Sequence, residues 1–389
     1  MIIINQPEIL ERGNSCILES IIEINGEKRS MWFKTPMEYK EYLVTENVDG
    51  FLVGLLFKAL QTNSNIKLKA PVSANLIYSL NHYLIPALVL SNPTFKKIRI
   101  LTNEINNSNL NIKPFAATGM SCGVDSLATY YDHIKEEEPF KITHFTFFNV
   151  GSHLDFGGKK SRKIFNERLK RISLFSQKEN KKLISVDSNL SEILQMNFQQ
   201  THSLRSASSV LILQKLIKNY YYSSAYRFDF FKLNHKDTSD SDILNLNMLS
   251  TESTRFFSSV AQFSRIERTL LISNYPETYN FLDVCVNHRS DKEFINCSTC
   301  YKCLRTQLTL DFAGYLSRYE KVFDLKKYQK NKNDYLALLY AKKNKSKLDI
   351  ELINFLNEKG LKLSVMIYIL MIKYHSLNNV KRLKNFFGR

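Results

Sequence analysis

Apolar runs alternate with helix-like segments along residues 113–310, and this alternation constrains the fold more than any other feature of the chain. Strands are predicted at 115–120, 141–150 and 182–186, and an extended segment at 222–228. Helices are predicted at 124–134, 160–180, 190–198 and 206–220. Repeated strand–helix units predict an α/β fold, with a parallel sheet and helices on both faces. In such sheets, ligands bind beyond the carboxyl ends of the strands.

The flanking sequences differ from this pattern. Residues 1–112 mix predicted strands (2–4, 16–24, 28–33 and 98–101) with predicted helices (51–62 and 74–90), and Asn25-Gly26 is a hairpin signal. They predict an N-terminal α+β module. Residues 311–389 show helical spacing over 323–345 and 348–377, which predicts a C-terminal helical region. The predicted division is therefore 1–112, 113–310 and 311–389.

Composition limits the class of protein. The chain has 389 residues and is 44% hydrophobic, which excludes wholesale disorder. Its N-terminus does not resemble a signal peptide, and the apolar run at 363–372 is too short to span a bilayer. We therefore expect a cytoplasmic protein without a membrane span. The net charge of +17 fits a polyanionic partner such as tRNA or a phosphorylated substrate, but it also fits a lysine-rich solvated surface.

The segment Ser121-Cys-Gly-Val-Asp-Ser126 lies between a predicted strand and a predicted helix. Such a turn directs backbone N–H groups and hydroxyls at one point beside a helix N-terminus, which favours a phosphate chain. Gly123 permits close backbone approach. Asp125 would fix the loop or help hold Mg²⁺. The alternative is an ordinary helix N-cap.

Four of the six cysteines lie between positions 285 and 303: Cys285, Cys297, Cys300 and Cys303. Their spacing is Cys-x11-Cys-x2-Cys-x2-Cys. Cys-x2-Cys turns hold two thiolates about a metal, and four thiolates form a closed tetrahedral Zn²⁺ site of structural type. The rival interpretations are an iron–sulfur cluster and free thiols. His288 is a spare candidate ligand. The site would present Lys302 and Arg305 nearby.

The segment at 121–126 resembles the PP-loop of ATP pyrophosphatases, the adenine nucleotide α hydrolases, whose usual form is Ser-Gly-Gly-x-Asp-Ser. The resemblance implies a sheet of the HUP/PP-loop type, ATP and Mg²⁺ as cofactors, and transfer of AMP to a substrate oxygen. Asp125 and Ser126 would be catalytic. The residues implied in nucleotide binding are Ser121, Cys122, Gly123, Val124, Asp125 and Ser126. Cys122 replaces the family's glycine, and its Cβ would strain the loop if this position requires a positive φ.

The combination of this loop with the cysteine segment 296–306 resembles the 7-cyano-7-deazaguanine synthase (QueC) family. That resemblance implies an ATP-dependent carbon–nitrogen ligase. It would adenylate a carboxylate, such as one on a deazapurine, for attack by ammonia or an amine to give an amide or nitrile. The synthases lack the modules before 113 and after 310, and this chain has Asn149-Val-Gly-Ser-His153 where they have Tyr-Gly-Gln-Arg-His. The chain looks closer to QueC-like proteins of bacterial antiviral defence clusters, with partner proteins from the same operon.

The superfamily commonly binds adenine after its second strand, which implicates Asn149 and Gly151. Candidate substrate-binding residues are His153, Arg205 and Arg265, and Arg265 shares one helical face with Arg268. Two other functions stay open at this point. One is a tRNA-modifying PP-loop enzyme, and the other is a non-catalytic nucleotide-binding subunit of a defence system.

Overall fold

Residues 1–287, 293–342 and 345–374 are described by a computed structural model of the chain. Two units can be distinguished. The first comprises Met1–Ser121 and Asp132–Gln262, and the second comprises Cys122–Tyr131 and Phe263–Arg389. These units do not coincide with the ranges 1–112, 113–310 and 311–389, and that three-part division stays a prediction about sequence modules.

The first unit is built on an 11-stranded sheet with the order β13-β12-β9-β10-β11-β4-β3-β1-β5-β7, in which β2 also pairs with β3. A two-stranded sheet joins β6 to β8. The strands are β1 (Ile2–Ile4), β2 (Glu8–Arg12), β3 (Ser15–Ile24), β4 (Glu27–Pro36), β5 (Ile66–Leu68), β6 (Val72–Ser73), β7 (Ile100–Leu101), β8 (Ile105–Asn106), β9 (Phe115–Gly119), β10 (Ile142–Asn149), β11 (Lys182–Ser188), β12 (Ile217–Ser223) and β13 (Arg255–Ser259).

The helices, in chain order, are α1 (Asp49–Gln61), α2 (Ala74–Ser79), α3 (Ile85–Ser91), α4 (Val124–Asp132), α5 (Lys159–Lys178), α6 (Leu190–Leu194), α7 (His202–Leu211), α8 (Asp242–Asn247), α9 (Arg265–Ser273), α10 (Tyr301–Phe312), α11 (Leu325–Ala341) and α12 (Lys347–Glu358). A further helix covers 365–374. The predicted C-terminal helical region is confirmed over the described residues. Within that part of the chain, each helix is too short or too polar to traverse a bilayer.

The strands β9 to β13 form the parallel half of the sheet. β10 pairs in parallel with β9 and β11, and β12 pairs in parallel with β9 and β13. The interior of β10 is almost wholly buried, as expected for a parallel strand covered on both faces. The chain moves from β9 to one side and later returns to the other side at β12. The carboxyl end of β9 is therefore a topological switch point, where open α/β sheets bind ligands.

The other half of the sheet contains antiparallel pairs. β3 and β4 form a hairpin in which Asn25 and Gly26 have φ values of 53° and 88°, as a type I′ turn requires. β4 then pairs antiparallel with β11, through the registers Lys34↔Asp187 and Phe33↔Ser188. Strands from residues 1–112 thus belong to the same sheet as β9–β13. The coarse fold prediction is confirmed: an α/β protein with a mostly parallel sheet flanked by helices.

The predicted helix at 206–220 is wrong over its second half. α7 ends at Leu211, and β12 begins at Ile217. The apolar residues of 210–217 are spaced like those of a helix, whereas the tyrosines at 220–222 favour a strand. Tyr220 is almost fully buried in β12, and its hydroxyl bonds to Thr146 at 3.0 Å. The short polar segment that forms β13 carries no alternation that would predict a strand.

Candidate anion and metal sites

The segment 121–126 has the predicted strand, turn and helix order. In the first unit, Met120 follows β9 and donates its N–H to the Thr146 carbonyl at 2.9 Å. In the second unit, α4 begins at Val124. The Gly123 carbonyl accepts from Leu127 N at 3.0 Å and from the Ser126 hydroxyl at 3.2 Å. Ser126 therefore closes the first turn of α4, while its role in nucleotide chemistry stays a prediction.

Cys122 adopts a left-handed backbone conformation. Its φ is +58° and its side chain is fully buried. Its carbonyl accepts a hydrogen bond from Asp283 N at 2.8 Å, within the same unit. For a residue with a Cβ, this conformation costs roughly 1–2 kcal/mol. The surrounding packing and the Asp283 bond therefore hold a strained residue in place.

Asp125 pairs with two arginines of α9. Its Oδ2 lies 2.7 Å from Arg265 Nη1, and its Oδ1 lies 2.8 Å from Arg268 Nη1. The Arg268 side chain is 1% exposed, and the Asp125 side chain is 24% exposed. The spacing of Arg265 and Arg268 on one face of α9 is visible in the sequence, but their common carboxylate partner is not. This clamp joins the first turn of α4 to α9.

The clamp also sets the charge state of Asp125. Burial raises the pKa of this carboxyl, but Arg265, Arg268 and Lys302 outweigh burial and hold the pKa below its ordinary value. The carboxylate is therefore ionised at neutral pH. Both carboxylate oxygens accept from guanidinium groups, and the role of Asp125 in holding Mg²⁺ stays a prediction.

Lys302 and Arg305 of α10 add further positive charge. Burial lowers the pKa of both groups, and repulsion from Arg265 lowers both further. Arg305 is 9% exposed, and its buried Nε has no hydrogen-bond partner among the described residues. Within that part of the chain, no carboxylate forms an ion pair with Arg305 or Lys302. Glu351 is a second carboxylate at this cluster: its Oε2 accepts from Arg265 N at 3.1 Å. Burial lowers the pKa of Arg268, and the charge of Glu351 acts in the opposite direction. Four cations thus lie near two carboxylates, Asp125 and Glu351.

The four cysteines of 285–303 converge as predicted. Their Sγ atoms all lie within 4.8 Å of one another. The Cys300 and Cys303 sulfurs are 3.4 Å apart, and the Cys297 and Cys303 sulfurs are 3.9 Å apart. A tetrahedral Zn²⁺ with bonds of about 2.3 Å would place its sulfurs roughly 3.8 Å apart. The cluster therefore fits a closed metal site with four cysteine ligands, and zinc suits its donor set.

The surroundings of the cluster supply donors to the sulfurs. Cys300 is the N-cap of α10, and Cys303 lies in its first turn, where the positive end of the helix dipole favours negative charge. Burial raises the pKa of Cys297, but hydrogen bonds from Thr299 and from Cys300 N outweigh burial and lower it. Cys300 N lies 3.3 Å from the Cys297 sulfur. His288, the spare candidate ligand, lies outside the described residues.

Asn296 connects the two cysteine-bearing segments. Its Nδ2 donates to the carbonyls of Leu282 and Val322, and its Oδ1 accepts from Val284 N at 2.9 Å. The segment that it holds contains Asp283, whose N–H bonds to the Cys122 carbonyl. The metal segment and the turn before α4 are therefore joined within the second unit by one backbone hydrogen bond, from Asp283 N to the Cys122 carbonyl, and by the side-chain bonds of Asn296. No motif or spacing in the chain indicates this link.

The remaining candidates lie in the first unit. Asn149 donates to Asp187 at 2.7 Å and accepts from the Ser161 hydroxyl at 2.8 Å, so its side chain stabilises the end of β10. Gly151 has φ +120°, and a Cβ there would lie 2.4 Å from Arg205 Nη1. The glycine is thus required by its backbone conformation and by the close approach of Arg205. The involvement of Asn149 and Gly151 with adenine stays a prediction.

Arg205 and His153 are deeply buried. The Arg205 guanidinium donates to the carbonyls of Val150, Asp155 and Met196 and to the Ser191 hydroxyl. It therefore fixes the loop after β10. His153 contacts the rings of Phe147 and Phe165 edge-on. Of the three predicted substrate-binding residues, only Arg265 belongs to the cation cluster of the second unit.

Comparison with known proteins adds no family assignment. No protein-family model matches the chain, and a search of curated proteins returned no match.

Proposed function

We propose that the chain is an ATP-dependent, AMP-forming ligase of the QueC-like PP-loop type. In this proposal it adenylates a carboxylate and releases pyrophosphate, and ammonia or an amine then displaces AMP to give an amide. The nitrile would form from the primary amide in a second ATP-dependent step, in which the amide oxygen leaves with AMP. The observation that carries the proposal is the excess of positive charge beside the first turn of α4, where two buried arginines, Arg268 and Arg305, and two partly exposed cations lie near two carboxylates. Arg305 and Lys302 lack a carboxylate counter-ion within the described residues, and Arg265 and Arg268 share Asp125.

Buried guanidinium groups are stable only when an anion or strong acceptors satisfy them. The N-terminus of the nine-residue helix α4 adds positive potential at the same end. A triphosphate supplies several oxygens for the donors of Arg265, Lys302 and Arg305, and guanidinium groups bind phosphate in a bidentate manner. These residues would stabilise the charge that develops on the departing pyrophosphate. Asp125 would position the two arginines.

The order of the sheet supports the same proposal. The strand that leads into the 121–126 segment is β9, and the carboxyl end of β9 is the switch point of the sheet. At the metal site, Cys285, Cys297, Cys300 and Cys303 would hold zinc, which would brace α10 and leave no open position for a reacting water.

The test uses the full chain with ATP labelled at the α phosphate, MgCl₂, ammonium chloride and a panel of deazapurine carboxylic acids. Separation of AMP from ADP by chromatography reports the position of cleavage. We expect acid-dependent AMP formation, with ATP affinity and turnover lost in Arg305→Met and Lys302→Met and retained in the exposed control Lys327→Met. ADP as the only product would contradict the proposal. ATP binding without AMP, even with partner proteins, would instead select the non-catalytic subunit.

A second candidate is tRNA modification, which the charge of α5 favours. This helix carries one acidic residue, Glu167, and its basic residues are Lys159, Lys160, Arg162, Lys163, Arg168, Lys170, Arg171 and Lys178. A basic helix attracts a phosphate backbone, and binding to it weakens steeply with salt. Titration of tRNA at two salt concentrations tests this candidate. Absence of tRNA binding at low salt removes it.

A further inference from the structure

The first unit contains a cavity that the proposed ligase chemistry does not use. It has a volume of about 210 Å³ and lies among α1, α3, α8 and the segments 92–95, 196–200 and 234–241. Its apolar wall includes Phe57, Leu88, Phe95 and Met196. The Phe57 and Phe95 rings are tilted, with centroids 5.6 Å apart. The exposed side chains of Gln61, Gln200 and His235 also line it.

The lining of this cavity carries no Lys, Arg, Asp or Glu. An ion in this space would lose hydration without gaining a charged partner, and this loss costs several kcal/mol or more. The volume is smaller than the roughly 300–1,000 Å³ of sites for drug-sized ligands. The cavity therefore suits a small uncharged molecule, and its aromatic wall suits a planar one.

Two buried amides, Asn245 and Asn92, lie among the polar side chains that line the cavity. Asn245 is fully buried; its Nδ2 donates to the Ser241 hydroxyl at 3.1 Å, and its Oδ1 has no partner among the described residues. An unsatisfied buried acceptor costs about 1–3 kcal/mol. Asn92 is 9% exposed, and its Oδ1 already accepts from Thr94 N and Oγ1. What Asn92 can still offer a ligand is therefore its Nδ2 donor.

We propose that this cavity binds a small, uncharged, planar lactam. The ligand's N–H donates to Asn245 Oδ1, and its carbonyl accepts from Asn92 Nδ2, while its ring lies against Phe57 and Phe95. The cavity lies in the first unit and its lining carries no Lys, Arg, Asp or Glu, whereas the cation cluster at Asp125 belongs to the second unit. A carboxylate substrate does not fit the cavity, because the lining offers no Lys or Arg.

The test compares uracil, which has lactam N–H groups, with 1,3-dimethyluracil, which has the same ring and carbonyls but no N–H donor. Binding to the full chain is measured by titration calorimetry and by saturation-transfer NMR. We expect saturable binding of uracil and at least about tenfold weaker binding of the dimethyl compound, since one hydrogen bond to a buried acceptor is worth about a factor of ten. No uracil binding, or equal binding of the two compounds, would overturn the proposal.

Asn245→Leu removes the acceptor with little change in shape. It should lower uracil affinity at least about tenfold, while the melting temperature is kept or raised, because an unsatisfied buried group has been removed. The matched control is Gln177→Leu, which removes an exposed amide of α5 and should leave uracil affinity unchanged. If Asn245→Leu proves unstable, Asn92→Leu is used instead. This substitution removes the Nδ2 donor to the ligand carbonyl and should likewise lower uracil affinity. Unchanged uracil affinity in a folded cavity variant would refute the assignment.

Discussion

Arg268 Nη1 lies 2.8 Å from Asp125 Oδ1, and this contact places a fully buried guanidinium against the carboxylate in the first turn of α4. Arg268 also donates through Nε to the Phe263 carbonyl at 3.1 Å. Because Asp125 offers its second oxygen to Arg265, one carboxylate organises both arginines. The loop that resembles a PP-loop is thereby tied to α9 by charge as well as by chain connectivity.

Asp125→Asn should destabilise the protein by about 1.5–3 kcal/mol, because the neutral amide gives up a charged hydrogen bond and no longer balances the charge of Arg265 and of the buried Arg268. Urea unfolding measures the difference. The control is Asp229→Asn, whose exposed pair with Arg227 should matter by less than about 0.5 kcal/mol. Equal effects of the two substitutions would contradict the structural role of the clamp. Under the proposed function, Asp125→Asn also loses AMP formation.

The metal prediction concerns stoichiometry and stability. Purified protein should contain one equivalent of a tightly bound metal, with zinc expected, and Cys303→Ser should lose the metal and lower the melting temperature. Four thiolate ligands make metal binding part of the folding free energy of this segment. Cys16→Ser is the matched control, since Cys16 is buried in the first unit and bonds to Thr35 and Pro36 instead. Elemental analysis and thermal unfolding distinguish the two, and full metal content in Cys303→Ser would argue against the site.

Several features are predictable from the sequence because the responsible signal is local. Asn25-Gly26 favours a type I′ turn through the two residues themselves. The close spacing of Cys297, Cys300 and Cys303 lets their sulfurs converge with that of Cys285 after short turns of the chain. The parallel strands β9, β10 and β11 carry apolar runs bounded by polar turns. In each case the physical cause lies within about twenty residues of the chain.

Other features depend on contacts between distant parts of the sequence. β4 pairs with β11 although the two strands are roughly 150 residues apart in the sequence, and no local sequence pattern predicts that pairing. The Asp125 clamp forms only because α9 packs beside α4. In the sequence, Arg205 looks like a ligand-binding residue, but in the structure its guanidinium donates to backbone carbonyls of the first unit. The predicted helix is wrong over the start of β12. This strand lacks an alternating polar and apolar sequence that would mark it, and its Tyr220 is buried within the sheet.

Cys122→Val should destabilise the protein clearly more than Cys122→Ala. Both side chains meet the same backbone conformation at φ +58°, but a β-branched residue is a steric outlier there. Cys, Ala and Val all carry a Cβ and share the cost of roughly 1–2 kcal/mol for this conformation. The difference between Val and Ala therefore reports the added cost of the branched Cβ. Urea unfolding of the two variants checks the order. If Val proves as stable as Ala, then the left-handed conformation at position 122 is not retained in solution.

The last prediction concerns Asp242, which is 1% exposed and accepts hydrogen bonds from the hydroxyls of Ser224 and Ser258. Burial raises the pKa of Asp242 from its ordinary 3.8 to about 6, although the two serine hydrogen bonds act in the opposite direction. Between these two pH values the folded state binds more protons than the unfolded state. Stability therefore falls as the pH rises through this window, and the loss is complete above about pH 6.

Asp242→Asn removes the charge and keeps a hydrogen-bonding side chain of the same size. It should stabilise the protein above about pH 6.5 by up to about 3 kcal/mol, since each pKa unit corresponds to about 1.4 kcal/mol, and it should have little effect near pH 4. Urea unfolding of both proteins at several pH values gives the difference directly. A gain of the same size at every pH would mean that Asp242 does not titrate within this window.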